Sequence, residues 1–262
     1  MLKKIFIKYI KNYCYYIETF SHVLIFNYTD GKLPNFSRKR NKEIFFIVTS
    51  SELEYFSEKI FQYKNIKNYH YILPEDMDNK YKAFLKNSEK IVKPFNSFNE
   101  SRFIKNIYLN EKVRFYKNVE TIKINDLIFS FYKKYNFGSS VSISFKNLNY
   151  LSIFYCGKII DEDNKNELKY FTEMDKILNY NYAMNMDICF IPFNLKKKKQ
   201  PKFRVSDFVR FFKPSFVFPM IYGNKLTPIQ NFVFENNFPD TVVKLIEDFG
   251  DCQEIKISYE RE

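Results

Sequence analysis

Residues 44–57, IFFIVTSSELEYFS, pass from an apolar run into a small polar turn and then into a second apolar pattern. Residues 44–48 have the composition of a buried strand, and the turn is Thr49-Ser50-Ser51. In the following ELEYFSEKIF, the apolar residues recur at helical spacing, which predicts a helix over residues 52–61: Leu53, Phe56, Ile60, Phe61. A strand, a turn and a helix in this order form a junction at which binding sites often lie.

Length and composition predict one soluble globular domain over residues 1–262. A chain of 262 residues is long enough for one large domain or two small ones, and no stretch divides it clearly. Hydrophobic residues make up 45% of the chain and aromatic residues 20%, which is ample material for a core. This composition argues against intrinsic disorder.

The net charge of +12 has two interpretations. A basic chain attracts nucleic acid, an anionic membrane or an acidic partner over long distances. The alternative is that coding in an AT-rich genome has filled solvated faces with lysine, because the 42 Lys and Arg residues are mostly scattered singly.

The cysteines and the amino-terminal segment predict a cytoplasmic protein. Four cysteines lie far apart and form no CxxC pair, which is typical of reduced core thiols: Cys14, Cys156, Cys189, Cys252. Lysines interrupt the basic, apolar amino terminus, MLKKIFIKYIKNYCYYIE. No stretch approaches the roughly 18 uninterrupted apolar residues of a membrane span.

The order of strand-like and helix-like segments predicts two mixed sheets with helices on the outside. Short runs rich in β-branched and aromatic residues predict strands at 4–9, 13–18, 23–27, 44–48, 69–73, 104–109, 113–115, 121–124, 127–132, 141–145, 150–155, 187–192, 215–219 and 254–259. The first three of these form one meander, and those from 104 to 155 form a second. Predicted helices lie at 52–61, 81–85, 167–182, 204–212 and 241–249.

Five segments together resemble the metallo-β-lactamase superfamily, in particular its small bacterial metallo-hydrolase-like proteins. They are HVLIFNYTDGKLP, IFFIVTSSELEYFS, NYLSIFYCGK, MDICFIPFN and VSDFVRFFKPSFVFPMIYG, and the match covers about residues 13–223. The resemblance implies an α/β fold arranged as a four-layer αββα sandwich.

The family motif His-x-His-x-Asp-His binds two metal ions, and its four ligand places fall here on Ser50, Glu52, Glu54 and Tyr55. All three histidines of the motif are therefore replaced. By the same resemblance, other family places fall on residues that are not metal ligands: Asn27 in the early strand, Asn136 in the third ligand loop, Lys158 for the bridging aspartate, Ile221 for the last histidine.

The resemblance thus predicts a degenerate metal site and no cofactor. The chain has only two histidines, His22 and His70, and neither lies at a motif place. A lysine at 158 puts a positive charge where two dications would lie, although it is able to pair with Glu52 or Glu54 instead. The function predicted from this is binding or regulatory, without catalysis.

Two other functions stay open at this stage. The first is a hydrolase, acting on a phosphodiester or a similar bond, with zinc or another divalent metal on an atypical set of ligands such as Glu52, Glu54 and Cys156. The second is nucleic-acid binding by a basic cluster interleaved with phenylalanines: Lys196, Lys197, Lys198, Lys199, Lys202, Arg204, Arg210. The cluster is more typical of a solvated loop before an amphipathic helix whose aromatic residues face the core.

The partner is not specified by the sequence beyond a protein or an anionic molecule. A homodimer is plausible, because 31 Phe and 21 Tyr are too many for all to be buried in one core. The sequence contains no Walker loop, G-x-G-x-x-G or G-x-S-x-G motif, which excludes glycine-rich nucleotide loops.

Overall fold

The computed structural model describes residues 2–36, 39, 41–63, 68–79, 112–117, 120–133, 139–148, 151–157, 186–193, 205–221, 227–245 and 250–258. The chain divides into two compact units, Met1–Asn118 with Asp248–Glu262, and Val119–Glu247. Each unit contains one seven-stranded sheet. The prediction that residues 1–262 form a single domain stays a prediction.

The described strands, in chain order, are β1 (Leu2–Lys11), β2 (Cys14–Glu18), β3 (His22–Phe26), β4 (Glu43–Ile47), β5 (Tyr69–Pro74), β6 (Val113–Tyr116), β7 (Glu120–Ile124), β8 (Leu127–Lys133), β9 (Ser139–Phe145), β10 (Leu151–Tyr155), β11 (Ile188–Phe193), β12 (Phe216–Ile221), β13 (Val242–Val243) and β14 (Cys252–Ser258). Two α-helices are described in full, α1 (Val205–Phe212) and α2 (Thr227–Glu235), and residues 75–79 after β5 are also α-helical. Short 3-10 helices lie at Glu58–Gln62 and Lys146–Leu148. No described helix has the length and apolar character that crossing a membrane requires.

The first unit contains the sheet β14-β1-β2-β3-β4-β5-β6. Strands β14, β1, β2 and β3 pair antiparallel, which confirms the first predicted meander, and β3 to β6 pair parallel. The assignment of residues 113–115 to the second meander was wrong. They form β6, parallel to β5, because Val113 and Phe115 pack against the hydrophobic core of the first unit.

Aromatic rings fill the core on one face of this sheet. Phe46 of β4 lies at its centre, with ring centroids 5.4 Å from Tyr71, 5.6 Å from Tyr63 and 6.4 Å from Phe36. Aromatic pairs at these separations add stabilisation beyond the area they bury. Strand β4, which leads into the polar turn, is therefore held by a well-packed face.

The second unit contains the sheet β13-β12-β11-β10-β9-β8-β7. Strands β7 to β10 are antiparallel, which confirms the second meander from residue 120 onward, and β10 to β13 are parallel. Both sheets are therefore mixed, as the sequence predicted.

The helix predicted over residues 241–249 was wrong in its described part, residues 241–245. The β-branched pair Val242–Val243 forms β13, since the Val242 N–H donates to the Ser215 carbonyl at 2.9 Å and the Lys244 N–H to the Val217 carbonyl at 2.8 Å. Helix α2 was not predicted from the sequence. Its signal was the Thr227-Pro228 pair, because proline is favoured in the first turn of a helix.

Several predicted elements lie outside the described residues. They are the helices at 81–85 and 167–182 and the strand at 104–109.

His70 of β5 predicts an acid-dependent loss of stability. Its ring stacks on Phe45 of β4 at 4.7 Å, and burial, aided by Lys112 and Arg114, lowers the pKa of His70 to about 4. The folded state thus keeps His70 neutral, whereas the unfolded chain takes up a proton below about pH 6.5. Stability should therefore fall as the pH falls from 6.5 to 4, by about 1 to 2 kcal/mol after allowing for the partial exposure of the ring.

Urea unfolding of the wild type and of His70→Phe at pH 7.0 and pH 4.5 measures this effect. Phenylalanine keeps the stack on Phe45 but does not titrate. We expect the variant to lose about 1 kcal/mol less than the wild type between the two pH values. Equal losses in the two proteins would contradict the assignment to His70.

Candidate functional site

The polar turn predicted after β4 lies at the edge where the parallel strands of the first sheet end. Strands β3, β4, β5 and β6 run in the same direction, so their carboxyl ends meet at one edge. The Val48 N–H donates to the Ile72 carbonyl at 2.9 Å, and the Tyr116 hydroxyl donates to the Val48 carbonyl at 3.0 Å. In sheets of this kind, ligands bind at the carboxyl ends of the strands, as the sequence analysis expected.

The helix predicted over residues 52–61 was wrong. The Tyr55 and Phe56 N–H groups both donate to the Glu52 carbonyl, at 2.9 and 3.1 Å, which closes a single turn. The chain then leaves the helical path because the Ser57 N–H donates to the Tyr28 carbonyl at 3.2 Å. Ser57 next caps the 3-10 helix Glu58–Gln62 by accepting from the Lys59 N–H.

The exposure of the apolar residues explains this error. Phe56, Ile60 and Phe61 are buried, but Leu53 is 87% exposed at the tip of the turn. Leu53 therefore does not belong to the apolar face that its spacing suggested.

The four places of the metal motif differ in burial and in the partners of their side chains. Ser50 is buried and its hydroxyl oxygen accepts from the Glu52 N–H at 3.3 Å, within the turn. Glu54 is exposed and Glu52 is half-buried. Tyr55 is 1% exposed, and its ring stacks on that of Tyr13 with centroids 4.6 Å apart and an interplanar angle of 12°.

Asn27, at the place of the family's early aspartate, ties the ends of β3 and β4 together. Its side chain is 1% exposed, and its backbone is in the left-handed region with φ of 47°. The Thr49 N–H donates to Asn27 Oδ1 and Asn27 Nδ2 donates to Thr49 Oγ1, both at 2.8 Å. The Asn27 N–H donates to the Ile47 carbonyl at 2.9 Å.

The remaining predicted site residues lie elsewhere or outside the description. Asn136 and Lys158 are outside the described residues, so the proposed pairing of Lys158 with Glu52 or Glu54 stays a prediction. Ile221 ends β12 of the second unit, where it pairs with Phe193 of β11.

The predicted basic cluster is described only at its carboxyl-terminal end. Lys196, Lys197, Lys198, Lys199, Lys202 and Arg204 lie outside the described residues, whereas Arg210 is exposed in the last turn of α1. On the other face of α1, Phe208 is buried and stacks on Phe154 at 5.7 Å. The amphipathic helix predicted over residues 204–212 is thus confirmed as α1.

The described donor groups do not fit a dinuclear metal centre. Across the described ranges, no group of three or more His, Cys, Asp or Glu side chains is placed to hold a metal ion. Cys156, one of the ligands considered for an atypical site, is buried. Burial also raises the pKa of the Cys14 and Cys189 thiols, which disfavours the thiolate that binds metals.

The histidines are engaged away from the turn. His22 Nδ1 lies 2.9 Å from the Ser21 hydroxyl and its Nε2 lies 3.9 Å from Glu43 Oε2, at the amino-terminal end of β3. His70 is stacked on Phe45 at the amino-terminal part of β5. Both therefore belong to the opposite end of the parallel strands from the turn.

Tyr13 and Asp76 belong to this site but were not predicted from the sequence. Tyr13 was predicted only as part of a strand, although it lies in the turn between β1 and β2, beside Asn12 with φ of 52°. Asp76 accepts a hydrogen bond from the Ser51 hydroxyl. Only the asparagine before Tyr13 gave a turn signal, and nothing local indicated which segment these residues would meet.

No family model matches the chain, and no curated protein matches it by sequence. Solved structures do match it. Igni18, a metallo hydrolase from the archaeon Ignicoccus hospitalis, is 8% identical, with a TM-score of 0.58 and coverage of 97% of this chain and 100% of that chain. A possible metal-dependent hydrolase from Veillonella parvula is 10% identical, with a TM-score of 0.58 and coverage of 95% and 98%.

The metallo-β-lactamase fold protein YhfI from Bacillus subtilis is 6% identical, with a TM-score of 0.56 and coverage of 96% of this chain and 99% of that chain. Identities this low establish the fold and carry no activity across. The two mixed sheets, the turn after β4 and these matches over nearly the whole chain agree on one architecture. This chain therefore has the α/β fold of the metallo-β-lactamase superfamily, as its sequence resemblance predicts.

Proposed function

We propose that this protein is a non-catalytic binding or regulatory protein that has lost the metal site of its fold. The observation that carries the proposal is the buried stack of Tyr55 on Tyr13. At a place where the family motif has a histidine, this chain has an aromatic side chain packed on the ring of Tyr13, in the turn between β1 and β2. The side chain is thus used for packing.

The chemistry of the turn supports the same conclusion. Metal-dependent hydrolysis needs a cluster of ligands that holds an ion and lowers the pKa of a bound water. The Ser50 hydroxyl oxygen accepts a hydrogen bond within the turn. Glu54 is exposed to solvent, whereas Ser50 and Tyr55 are buried. Neither described histidine is placed at the turn to act as a general base.

The tip of the turn is the surface that we propose for recognition. Leu53 is 87% exposed there and Glu54 is exposed beside it. An exposed aliphatic side chain on a short turn suits insertion into a pocket of a protein partner. The net charge of +12 suits a partner that is anionic. None of the four cysteines forms a disulfide, which supports a location in the reducing cytoplasm.

Elemental analysis of protein purified without chelators tests the absence of a metal centre. We expect well under one equivalent of zinc, manganese and iron per chain, because the described turn offers no converging ligands. About two tightly held equivalents would contradict the proposal.

The competing hydrolase function has its own test. It predicts phosphodiester hydrolysis that is stimulated by added divalent metal and collapses in Glu54→Ala but not in Glu235→Ala, an exposed glutamate of α2. We expect no metal-stimulated turnover in any of the three proteins.

A further inference from the structure

We infer that contacts within the protein lock residues 49–57, the locked turn, so that its conformation needs no metal. The inference rests on the proposed loss of the metal site and goes beyond it. It says which side chains now hold the turn, and it predicts that removing them frees the turn whatever metal is present.

The first contact is the clamp between Asn27 and Thr49. These residues are 22 positions apart in the chain and both are buried, so the two hydrogen bonds at 2.8 Å close a long loop in a water-poor place. The amide of Asn27 supplies one acceptor and one donor and carries no charge. The buried polar groups at the start of the turn are thus hydrogen-bonded to each other. They need no metal ion, whereas a buried carboxylate at the place of Asn27 would require a counter-charge.

The second contact is the stack of Tyr55 on Tyr13. Tyr13 lies in the turn between β1 and β2, and Tyr55 lies near the exit of the locked turn. A near-parallel pair with centroids 4.6 Å apart is close packing, and the burial of Tyr55 adds the hydrophobic contribution of a large side chain.

Two further contacts come from other segments. The Ser51 hydroxyl donates to Asp76, and the Ser57 N–H donates to the Tyr28 carbonyl at 3.2 Å. The locked turn is therefore held from the β1–β2 turn, from the loop after β3 and from the segment after β5. Only its tip, with Leu53, projects into solvent.

Amide hydrogen exchange of the Thr49, Tyr55 and Phe56 N–H groups is the direct test, because each donates a hydrogen bond that defines the locked turn. In the wild type we expect protection that agrees within about twofold with EDTA and with added ZnCl₂. In Asn27→Ala the loss of the partner of a buried N–H should lower this protection about tenfold or more.

Asn125→Ala is the matched control for the backbone. Asn125 lies in the β7–β8 turn with φ of 52°, close to the 47° of Asn27, but it is exposed. The strain of placing alanine at positive φ is thus common to both variants. We expect Asn125→Ala to leave the protection of the locked turn unchanged.

Tyr55→Ala and the milder Tyr13→Ala test the stack, with Tyr55→Phe as the variant that keeps a ring. In both alanine variants, the N–H groups of residues 55 and 56 should lose protection from exchange. In Tyr55→Phe, the same two N–H groups should stay protected. Amides of β9 in the second unit report whether a variant has unfolded altogether.

The outcomes separate the two proposals. Wild-type protection that appears only with metal would overturn both the lock and the proposed function. Metal-independent protection that survives in Asn27→Ala, Tyr13→Ala and Tyr55→Ala would overturn the lock and leave the proposed function standing.

Discussion

Replacement of Phe46 by alanine should lower the free energy of unfolding by about 4 kcal/mol, the largest effect that we expect from any single substitution in this chain. Phe46 is 1% exposed and lies among Phe36, Tyr63 and Tyr71. Removing its ring deletes the buried area and leaves a cavity whose rigid aromatic neighbours cannot easily fill it. Urea denaturation of the wild type and Phe46→Ala at pH 7 measures the difference.

Two control variants show whether the stability loss in Phe46→Ala comes from the cavity. Phe46→Leu retains most of the volume and should cost about 1 to 1.5 kcal/mol. Phe20→Ala removes a ring that is 89% exposed between β2 and β3, and it should change stability by less than about 0.5 kcal/mol. A cost below about 1.5 kcal/mol for Phe46→Ala would mean that the core around β4 is not packed as described.

The position of Phe46 connects this core to the candidate site. Phe46 precedes Val48, whose N–H and carbonyl are both bonded to neighbouring strands at the start of the polar turn. A cavity beneath β4 should therefore loosen the entry of the locked turn as well as lower global stability. Exchange of the Thr49 N–H in Phe46→Leu, a variant that stays folded, reports the local part.

Strand patterns carried most of the fold prediction. The run at residues 44–48 and the alternation of short apolar runs with turns are local signals, and they predicted β4, the first meander and the second meander from β7 to β10. The helix prediction over residues 52–61 was wrong for a physical reason. Helical spacing records only which residues are apolar, whereas the bond from the Ser57 N–H to the Tyr28 carbonyl is a tertiary contact that redirects the chain.

The sequence predicted the polar turn after β4 but not the contacts that hold this turn. The resemblance placed the motif on Ser50, Glu52, Glu54 and Tyr55, and the structure puts these residues on one turn at the edge of the sheet. The residues that contact the turn belong to other segments of the chain. Tyr13 and Asp76 lie in other segments, and no local pattern indicates that they meet Tyr55 and Ser51.

The charged cluster around Glu18 shows the same dependence on tertiary structure. Glu18 is 8% exposed at the end of β2, and its Oε1 accepts from Lys39 Nζ at 2.5 Å and from Lys42 Nζ at 2.7 Å. Its Oε2 accepts from the Tyr16 hydroxyl at 2.6 Å. Burial alone raises the pKa of Glu18, but the bonds from Lys39, Lys42 and Tyr16 outweigh it, so that its pKa lies below the usual value.

Glu18→Gln should cost about 2 to 3 kcal/mol at pH 7, because it keeps the shape but leaves two partly buried ammonium groups without their counter-charge. Since the folded pKa of Glu18 is lowered, its contribution is fully present above the unfolded pKa of about 4.5 and is lost as the pH falls through the folded value. The gap between wild type and variant in urea unfolding should therefore shrink between pH 5 and pH 3. Glu254→Gln, which breaks the exposed 3.2 Å pair with Lys4, should cost less than about 0.5 kcal/mol. Two results would contradict the proposed role of Glu18 as the counter-charge of Lys39 and Lys42. One is a stability difference between wild type and Glu18→Gln that does not change with pH, and the other is a difference no larger than that for Glu254→Gln.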